Sequence, residues 1–125
     1  MSVRRQSNTV SEEALPTGDQ PVSARARNLT HVSPTEVSVQ DALDALSDPT
    51  RRAMVRMLAE SPEWTKACGT FDLPVKKATL SHHFAVLRAT GLIEQRDAGP
   101  RRLNRLRKAE FDACFPGLLD IVLAE

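Results

Sequence analysis

Residues 76–106 read KKATLSHHFAVLRATGLIEQRDAGPRRLNRL. Within this stretch, Leu80, Phe84 and Leu87 fall at the spacing of one helix face. Such a periodicity is typical of an amphipathic helix whose apolar side packs against a core. The pattern predicts a helix over residues 76–90, and the other elements can be placed outward from it.

A β-hairpin is predicted directly after this helix. Gly91 stands where a helix C-cap belongs. Residues 92–96 have the composition of a strand, residues 97–100 are a turn signal, and residues 102–106 are typical of the returning strand. The stretch therefore predicts one helix followed by a short hairpin.

Two further helices are predicted upstream. Ser38-Val39-Gln40-Asp41 places a hydroxyl three positions before a carboxylate, which is close to a capping box. Asp48-Pro49 joins a favoured N-cap to a residue suited to the first helical position, and Ser61-Pro62 ends this second helix. For residues 61–75, either a short helix or an extended loop fits the mixture of glycine, proline and apolar residues.

The chain divides into a tail and one domain. Residues 1–35 are rich in Ser, Thr, Gln, Asn and Pro, which predicts a disordered N-terminal tail. Residues 36–125 hold the helices and the hairpin, with another helix that begins near Lys108 and is interrupted near Pro116-Gly117. This order is mainly α with a small β-hairpin, and it predicts a winged helix-turn-helix.

The positive charge of the chain is concentrated in one segment. The whole chain of 125 residues carries a formal net charge of +1. Residues 76–108 hold nine basic and two acidic residues, a net charge of +7, whereas residues 36–75 carry −3 and residues 109–125 carry −4. One strongly basic segment in a nearly neutral protein predicts a surface for a polyanion, here double-stranded DNA.

The outer face of the helix over residues 76–90 carries mostly short side chains. Such a helix can approach base edges in the major groove, with His82 facing the DNA and His83 packing at the flank or reaching a phosphate. Arginines of the hairpin are placed to grip phosphates or enter the minor groove. The predicted DNA-binding residues are Lys76, Lys77, Ala78, Thr79, Ser81, His82, His83, Arg88, Arg96, Arg101, Arg102 and Arg105.

Two motifs resemble one known family. Residues 45–52, ALSDPTRR, are similar to the ALADPTRR opening of ArsR-type (arsenic-repressor-like) winged-helix regulators. Residues 80–93, LSHHFAVLRATGLI, resemble the hLSxHLxxLRxAGLI recognition helix of that family. The similarity covers about residues 38–108. It implies a homodimeric transcriptional repressor that binds a palindromic operator and releases it on sensing a signal.

The metal-binding motifs of that family are not matched. Its metal-sensing members carry a Cys-x-Cys pair before the recognition helix, whereas residues 64–73 hold only Cys68, and residues 109–125 contain no His. No metal and no cofactor is therefore expected. Cys68 and Cys114 are most simply two buried or half-buried thiols, with a redox-sensing pair as the alternative.

The C-terminal residues are more apolar than a small winged helix can readily bury alone. In the family the first and last helices form the dimer interface, and an exposed patch of this size would be a liability on a monomer. We therefore predict a homodimer with its recognition helices about one DNA turn apart. The predicted interface residues are Val39, Leu43, Leu46, Phe111, Phe115, Leu118, Leu119 and Val122.

These observations favour a cytoplasmic, sequence-specific DNA-binding regulator, specifically a dimeric repressor whose signal is unknown. No stretch is apolar and long enough for a bilayer, and the N-terminus lacks an apolar signal region. An enzyme is not expected, because no Gly-rich phosphate loop, nucleophile elbow or paired-carboxylate arrangement is present. The alternative is a winged-helix protein-interaction module that no longer binds DNA, against which the retained charge of +7 argues.

Overall fold

The computed structural model describes residues 29–125. The rest of the predicted tail, residues 1–28, lies outside the described residues. Two helices open the domain, α1 (Val39–Leu46) and α2 (Pro49–Ala59). The Ser38 hydroxyl and the Asp48 carboxylate each accept a hydrogen bond from a backbone N–H three residues further on. Both predicted N-caps are confirmed, and each satisfies an amide that a helix leaves without a partner in its first turn.

A three-stranded antiparallel sheet follows, with β1 (Lys66–Ala67), β2 (Ile93–Ala98) and β3 (Arg101–Leu106) in the order β1-β3-β2. The hairpin of β2 and β3 confirms the predicted wing. The segment 61–75 contains both β1 and a short 3-10 helix (Cys68–Thr70), so it is neither purely helical nor purely a loop.

The helix between β1 and β2 is α3 (Lys77–Ala89). Its predicted apolar stripe faces the core, with Phe84 and Leu87 buried and Leu80 half-buried. Gly91 follows with φ +72°, a left-handed conformation that glycine adopts without a side-chain clash. The predicted helix and the predicted residue at its C-terminal end are therefore confirmed.

Two short helices close the domain, α4 (Lys108–Cys114) and α5 (Leu118–Leu123). Gly117 lies between them at φ +87°, which lets the chain reverse. The core lies between all five helices and the inner face of the sheet. Its largest fully buried apolar side chains are Phe111, Met54, Leu87, Leu92, Ile93, Leu119 and Val55. No helix of the described part of the chain is both long and apolar enough to cross a membrane.

The ordered domain begins earlier than the predicted boundary at residue 36. Residues 34–36 form a 3-10 helix with Pro34 buried, and a Cβ atom on Gly91 would lie 2.8 Å from the Pro34 backbone. The backbone N–H of Val32 donates to the Arg88 carbonyl over 3.2 Å. Residues 29–35, predicted as tail, are therefore held against α3 by backbone contacts that composition does not reveal.

The predicted surplus of apolar C-terminal residues is mostly absorbed by the protomer itself. Leu46, Phe111, Leu119 and Val122, all predicted at the dimer interface, are at most 5% exposed. Phe115 and Leu118 are half-buried and pack against the same core. The prediction was wrong for the four buried residues, because α4 and α5 fold back and bury them within one chain.

Candidate nucleic-acid interface

The exposed face of α3 is formed by the side chains predicted for it. Lys76, Lys77, Ala78, Thr79, Ser81 and His82 are all exposed. Apart from the lysines at its start, this face is short-chained, as a close approach to base edges requires. The structure thus brings six of the predicted DNA-binding residues together at one end of one helix.

The N-terminus of α3 is basic and lacks a side-chain cap. Lys76 is the N-cap residue, and no side chain accepts a hydrogen bond from the first turn. Backbone N–H groups at such an end, together with the positive end of the helix dipole, attract anions. Lys76 and Lys77 add two exposed ammonium groups at the same place. Two lysines at the N-terminus of a helix are unfavourable on their own, but they become favourable when an anion such as a phosphate group binds there.

The wing presents two exposed arginines. Arg101 lies at the tip of the hairpin, opposite Ala98 in the register. Arg96 lies on the outer face of β2, with its guanidinium 4.0 Å above the ring of Trp64. Trp64 has φ +63°, an unusual conformation for a bulky residue, and its backbone N–H donates to the Asn104 carbonyl over 3.1 Å. Sequence analysis did not predict this Arg96–Trp64 stack, since the two residues are far apart along the chain.

Arg105 is placed differently from its prediction as a DNA contact. Its side chain is 17% exposed and donates hydrogen bonds to the carboxylates of Glu94, Glu110 and Glu63. These bonds raise the pKa of the Arg105 guanidinium and lower the pKa of Glu110. A guanidinium surrounded by three carboxylates has no donor directed at a phosphate, so Arg105 holds the outer face of the wing to α4 instead.

Arg102 and Arg88 are also held by protein groups. Arg102 is paired with Asp97 over 3.1 Å, and its side chain is 13% exposed. Arg88 donates to the side-chain oxygen of Gln95 over 2.6 Å and to the backbone carbonyl of Thr30 over 3.2 Å. Both arginines line the cleft between α3 and the wing, and Arg88 links these two elements through its bond to Gln95.

His83 does not reach the exposed face of α3. It is 6% exposed, with Nδ1 3.1 Å from Nη1 of Arg51 and Nε2 3.8 Å from the Asp48 carboxylate. Burial and the neighbouring Arg51 lower the pKa of His83 against an opposing effect of Asp48. Of its two predicted positions, packing at the flank is the one observed, and the phosphate contact was wrong. Because adjacent helix residues point about 100° apart, only His82 of the pair can face outward.

A cleft of about 510 Å³ lies between α3 and the wing. Its charged and hydroxyl-bearing lining residues are Lys77, Ser81, Arg88 and Arg102. Deeper in, the buried amides of Gln95 and Asn104 hydrogen-bond each other over 2.8 Å, and Gln95 Nε2 donates to the Sγ atom of Cys68 over 3.0 Å.

This buried Gln95–Asn104 pair ties the two wing strands together, and sequence analysis missed it. Strand alternation could have found the pair, since it places Gln95 and Asn104 on the same face as the buried Ile93 and Leu106.

The two cysteines lie on different elements and neither forms a disulfide. Cys68 is at the base of the cleft, and Cys114 ends α4; both are half-buried. Among residues 29–125, no group of three or more His, Cys, Asp or Glu side chains could hold a metal ion.

The large apolar side chains that remain exposed within the described part lie on the first and last helices. Val39 and Leu43 of α1 are 62% and 48% exposed, and Ile121 of α5 is 72% exposed. Val39 and Leu43 were predicted at a dimer interface, whereas Ile121 was not. Because these side chains gain nothing from the core of one protomer, they are the residues available to a partner surface.

Two comparisons with known proteins concern this region. Residues 48–95 match the family model described as "Bacterial regulatory protein, arsR family". The chain is also 43% identical over 67 residues to the HTH-type transcriptional regulator Rv2034 of Mycobacterium tuberculosis. That match spans 52% of this chain and 60% of the relative. The family match runs from the N-cap of α2, through α3, into the first strand of the wing.

Proposed function

We propose that the chain, whose residues 48–95 match the arsR family, is an ArsR-type sequence-specific DNA-binding transcriptional regulator. The observation that carries the proposal is the uncapped, basic N-terminus of α3 next to a short-chained exposed helix face. A relative named as a transcriptional regulator supports the same conclusion.

Recognition divides between bases and phosphates. Ala78, Thr79, Ser81 and His82 enter the major groove, where hydroxyl and imidazole groups hydrogen-bond to base edges and the alanine methyl contacts thymine. Lys76, Lys77 and the amides of the first turn of α3 bind a phosphate. Arg101 and Arg96 of the wing bind the flanking backbone, with Arg101 able to reach the minor groove from the hairpin tip.

Binding to the DNA upstream of its own gene tests this function. We expect Lys77→Ala and Arg101→Ala each to weaken binding by about tenfold and to reduce the slope of log affinity against log salt by about one, because each removes a phosphate contact. Fluorescence anisotropy at several salt concentrations, with random DNA as competitor, measures both quantities. Lys108→Ala is the matched control, because it removes the same charge from α4, where Lys108 pairs with Asp112 and Asp120.

Three outcomes of this experiment count against the proposal. Equal competition by random DNA would contradict sequence-specific recognition. An equal effect of all three substitutions would mean that net charge, not this surface, governs binding. No binding at low salt by the folded protein would favour the protein-interaction module instead.

The regulator is further proposed to be a homodimeric repressor acting on a palindromic operator. Exposed Val39, Leu43 and Ile121 on α1 and α5 support dimerisation through the first and last helices. A two-fold axis there places two copies of α3 on the same side of a DNA duplex, and successive major grooves then require a pseudo-palindromic site.

Leu43→Glu tests the dimer. We expect it to shift the protein to monomers and to reduce operator affinity by at least tenfold, because two carboxylates would face each other across a symmetric apolar contact. Gln40→Glu adds the same charge to the polar side of α1 and should leave the dimer intact. Sedimentation velocity gives the oligomeric state. A Leu43→Glu protein that stays dimeric would exclude α1 from the interface.

A further inference from the structure

Residues 29–36, here called the strap, connect the recognition helix to the wing. On α3, the Val32 N–H donates to the Arg88 carbonyl over 3.2 Å, and the Arg88 guanidinium donates back to the Thr30 carbonyl over 3.2 Å. Just after β3, Arg107 donates to the Val32 carbonyl over 3.3 Å. The strap therefore holds groups on both DNA-facing elements.

The strap reaches the wing through a histidine. The Nε2 atom of His31 lies 3.0 Å from the backbone N of Gln95 in β2 and accepts its N–H. The Asn104 carbonyl opposite Gln95 accepts from Trp64 on the β1 side, so the Gln95 N–H points to the open edge of β2 and has no partner within the sheet. The contact requires a neutral imidazole with its proton on Nδ1, since a protonated imidazole has no lone pair to offer.

Charged groups from three elements face His31. Arg88 of α3 and Arg107, which follows β3, oppose a positive charge on the imidazole, whereas Glu94 of β2 favours it. Burial is the largest influence, and together these effects lower the pKa of His31 below its ordinary value of 6.5. The docked state of the strap, in which His31 accepts the Gln95 N–H, thus favours the neutral form of His31.

We propose that the strap is an acid-sensitive latch, which holds α3 and the wing at their DNA-binding spacing while His31 is neutral and releases them when His31 is protonated. The proposal rests on the proposed function, because the consequence of release is weaker operator binding. Arg88, which the strap orients through the Thr30 carbonyl, also donates to the Gln95 side chain. Release of the strap therefore loosens the Arg88–Gln95 contact between α3 and the wing, because both residues lose a bond to the strap.

The direction of the pH effect follows from the two states of the histidine. An undocked His31 titrates near 6.5, whereas the docked one stays neutral to lower pH. Docking is therefore fully favourable above pH 6.5 and weakens as the pH falls below that value. His83, whose pKa is also lowered, adds a second acid-sensitive contact, so the experiment must isolate His31.

The substitution His31→Gln isolates the contribution of His31 to the pH dependence. The Gln side-chain oxygen stands near the position of Nε2 and can accept the Gln95 N–H, but it does not titrate. Hydrogen exchange of the Gln95 amide, expressed as a protection factor at each pH, reports the latch without DNA. We expect wild-type protection to fall about fivefold between about pH 8 and pH 5.5, as for the loss of one net hydrogen bond, and protection in His31→Gln to stay constant.

Operator affinity at constant ionic strength should follow the same pattern. We expect the wild type to lose about fivefold more affinity than His31→Gln over this pH range. His31→Ala, which lacks the acceptor, should behave at pH 8 like the acidified wild type. Equal pH profiles for wild type and His31→Gln, or unchanged Gln95 protection in His31→Ala, would overturn the latch. If no variant binds the operator at pH 8, the proposed function fails, while amide exchange still decides whether His31 latches the strap.

Discussion

Replacing Phe111 by Ala should lower the free energy of unfolding by about 3–5 kcal/mol. The Phe111 side chain is fully buried, and its ring centroid lies 4.8 Å from that of Phe115. Removing the ring leaves a cavity under α4 that this short helix cannot close without losing its other contacts. Since small domains are stable by only about 5–15 kcal/mol, the variant should be at or near the limit of folding. Urea denaturation followed by circular dichroism measures the change.

Ile121→Ala is the control for this substitution. Ile121 is 72% exposed, so its truncation should change protomer stability by less than about 0.5 kcal/mol and act on the proposed dimer instead. Comparing Phe111→Ala with Ile121→Ala therefore distinguishes a core residue of α4 from a proposed interface residue of α5. If Phe111→Ala kept its stability and lost only dimerisation, Phe111 would be an interface residue after all, and the burial described for α4 would not hold in solution.

The sequence predicted the elements of the fold well, because their signals are local. Ser38 and Asp48 mark helix starts through bonds to amides three residues away, and Gly91 marks a helix end through its own backbone conformation. The strap shows the opposite case. Its polar composition predicts disorder, yet bonds to Arg88 and Gln95, more than 50 residues along the chain, hold it in place.

The candidate interface was predicted as a region but not residue by residue. A count of charges treats Arg101 and Arg105 alike, since both lie on the returning strand. Strand alternation places both on the outer face, so periodicity does not separate them either. What distinguishes them is Glu63 and Glu110, which reach Arg105 from before β1 and from α4. Only the tertiary structure brings those carboxylates to one arginine and leaves the other exposed.

Arg105→Ala should accordingly destabilise the protein by about 2 kcal/mol. Loss of one partner from a buried ion pair costs about 3–5 kcal/mol and loss of an exposed pair less than about 1 kcal/mol. Arg105 lies between these limits, because it is 17% exposed while its three carboxylate partners are 36–64% exposed. The substitution leaves those carboxylates close together without their cation. Thermal and urea unfolding at neutral pH measure the loss.

The pH dependence of the stability difference between wild type and Arg105→Ala identifies the cause of that difference. Because Arg105 lowers the pKa of Glu110 below its ordinary value of 4.5, the contribution of the pair is complete above pH 4.5 and is lost as the pH falls through the lowered value. The stability gap between wild type and Arg105→Ala should therefore narrow in acid. Arg101→Ala provides the contrast, with nearly unchanged stability and weakened DNA binding. An Arg105→Ala protein of unchanged stability that binds DNA as poorly as Arg101→Ala would instead make Arg105 a phosphate contact, and the three carboxylates around it would have to release it in the complex.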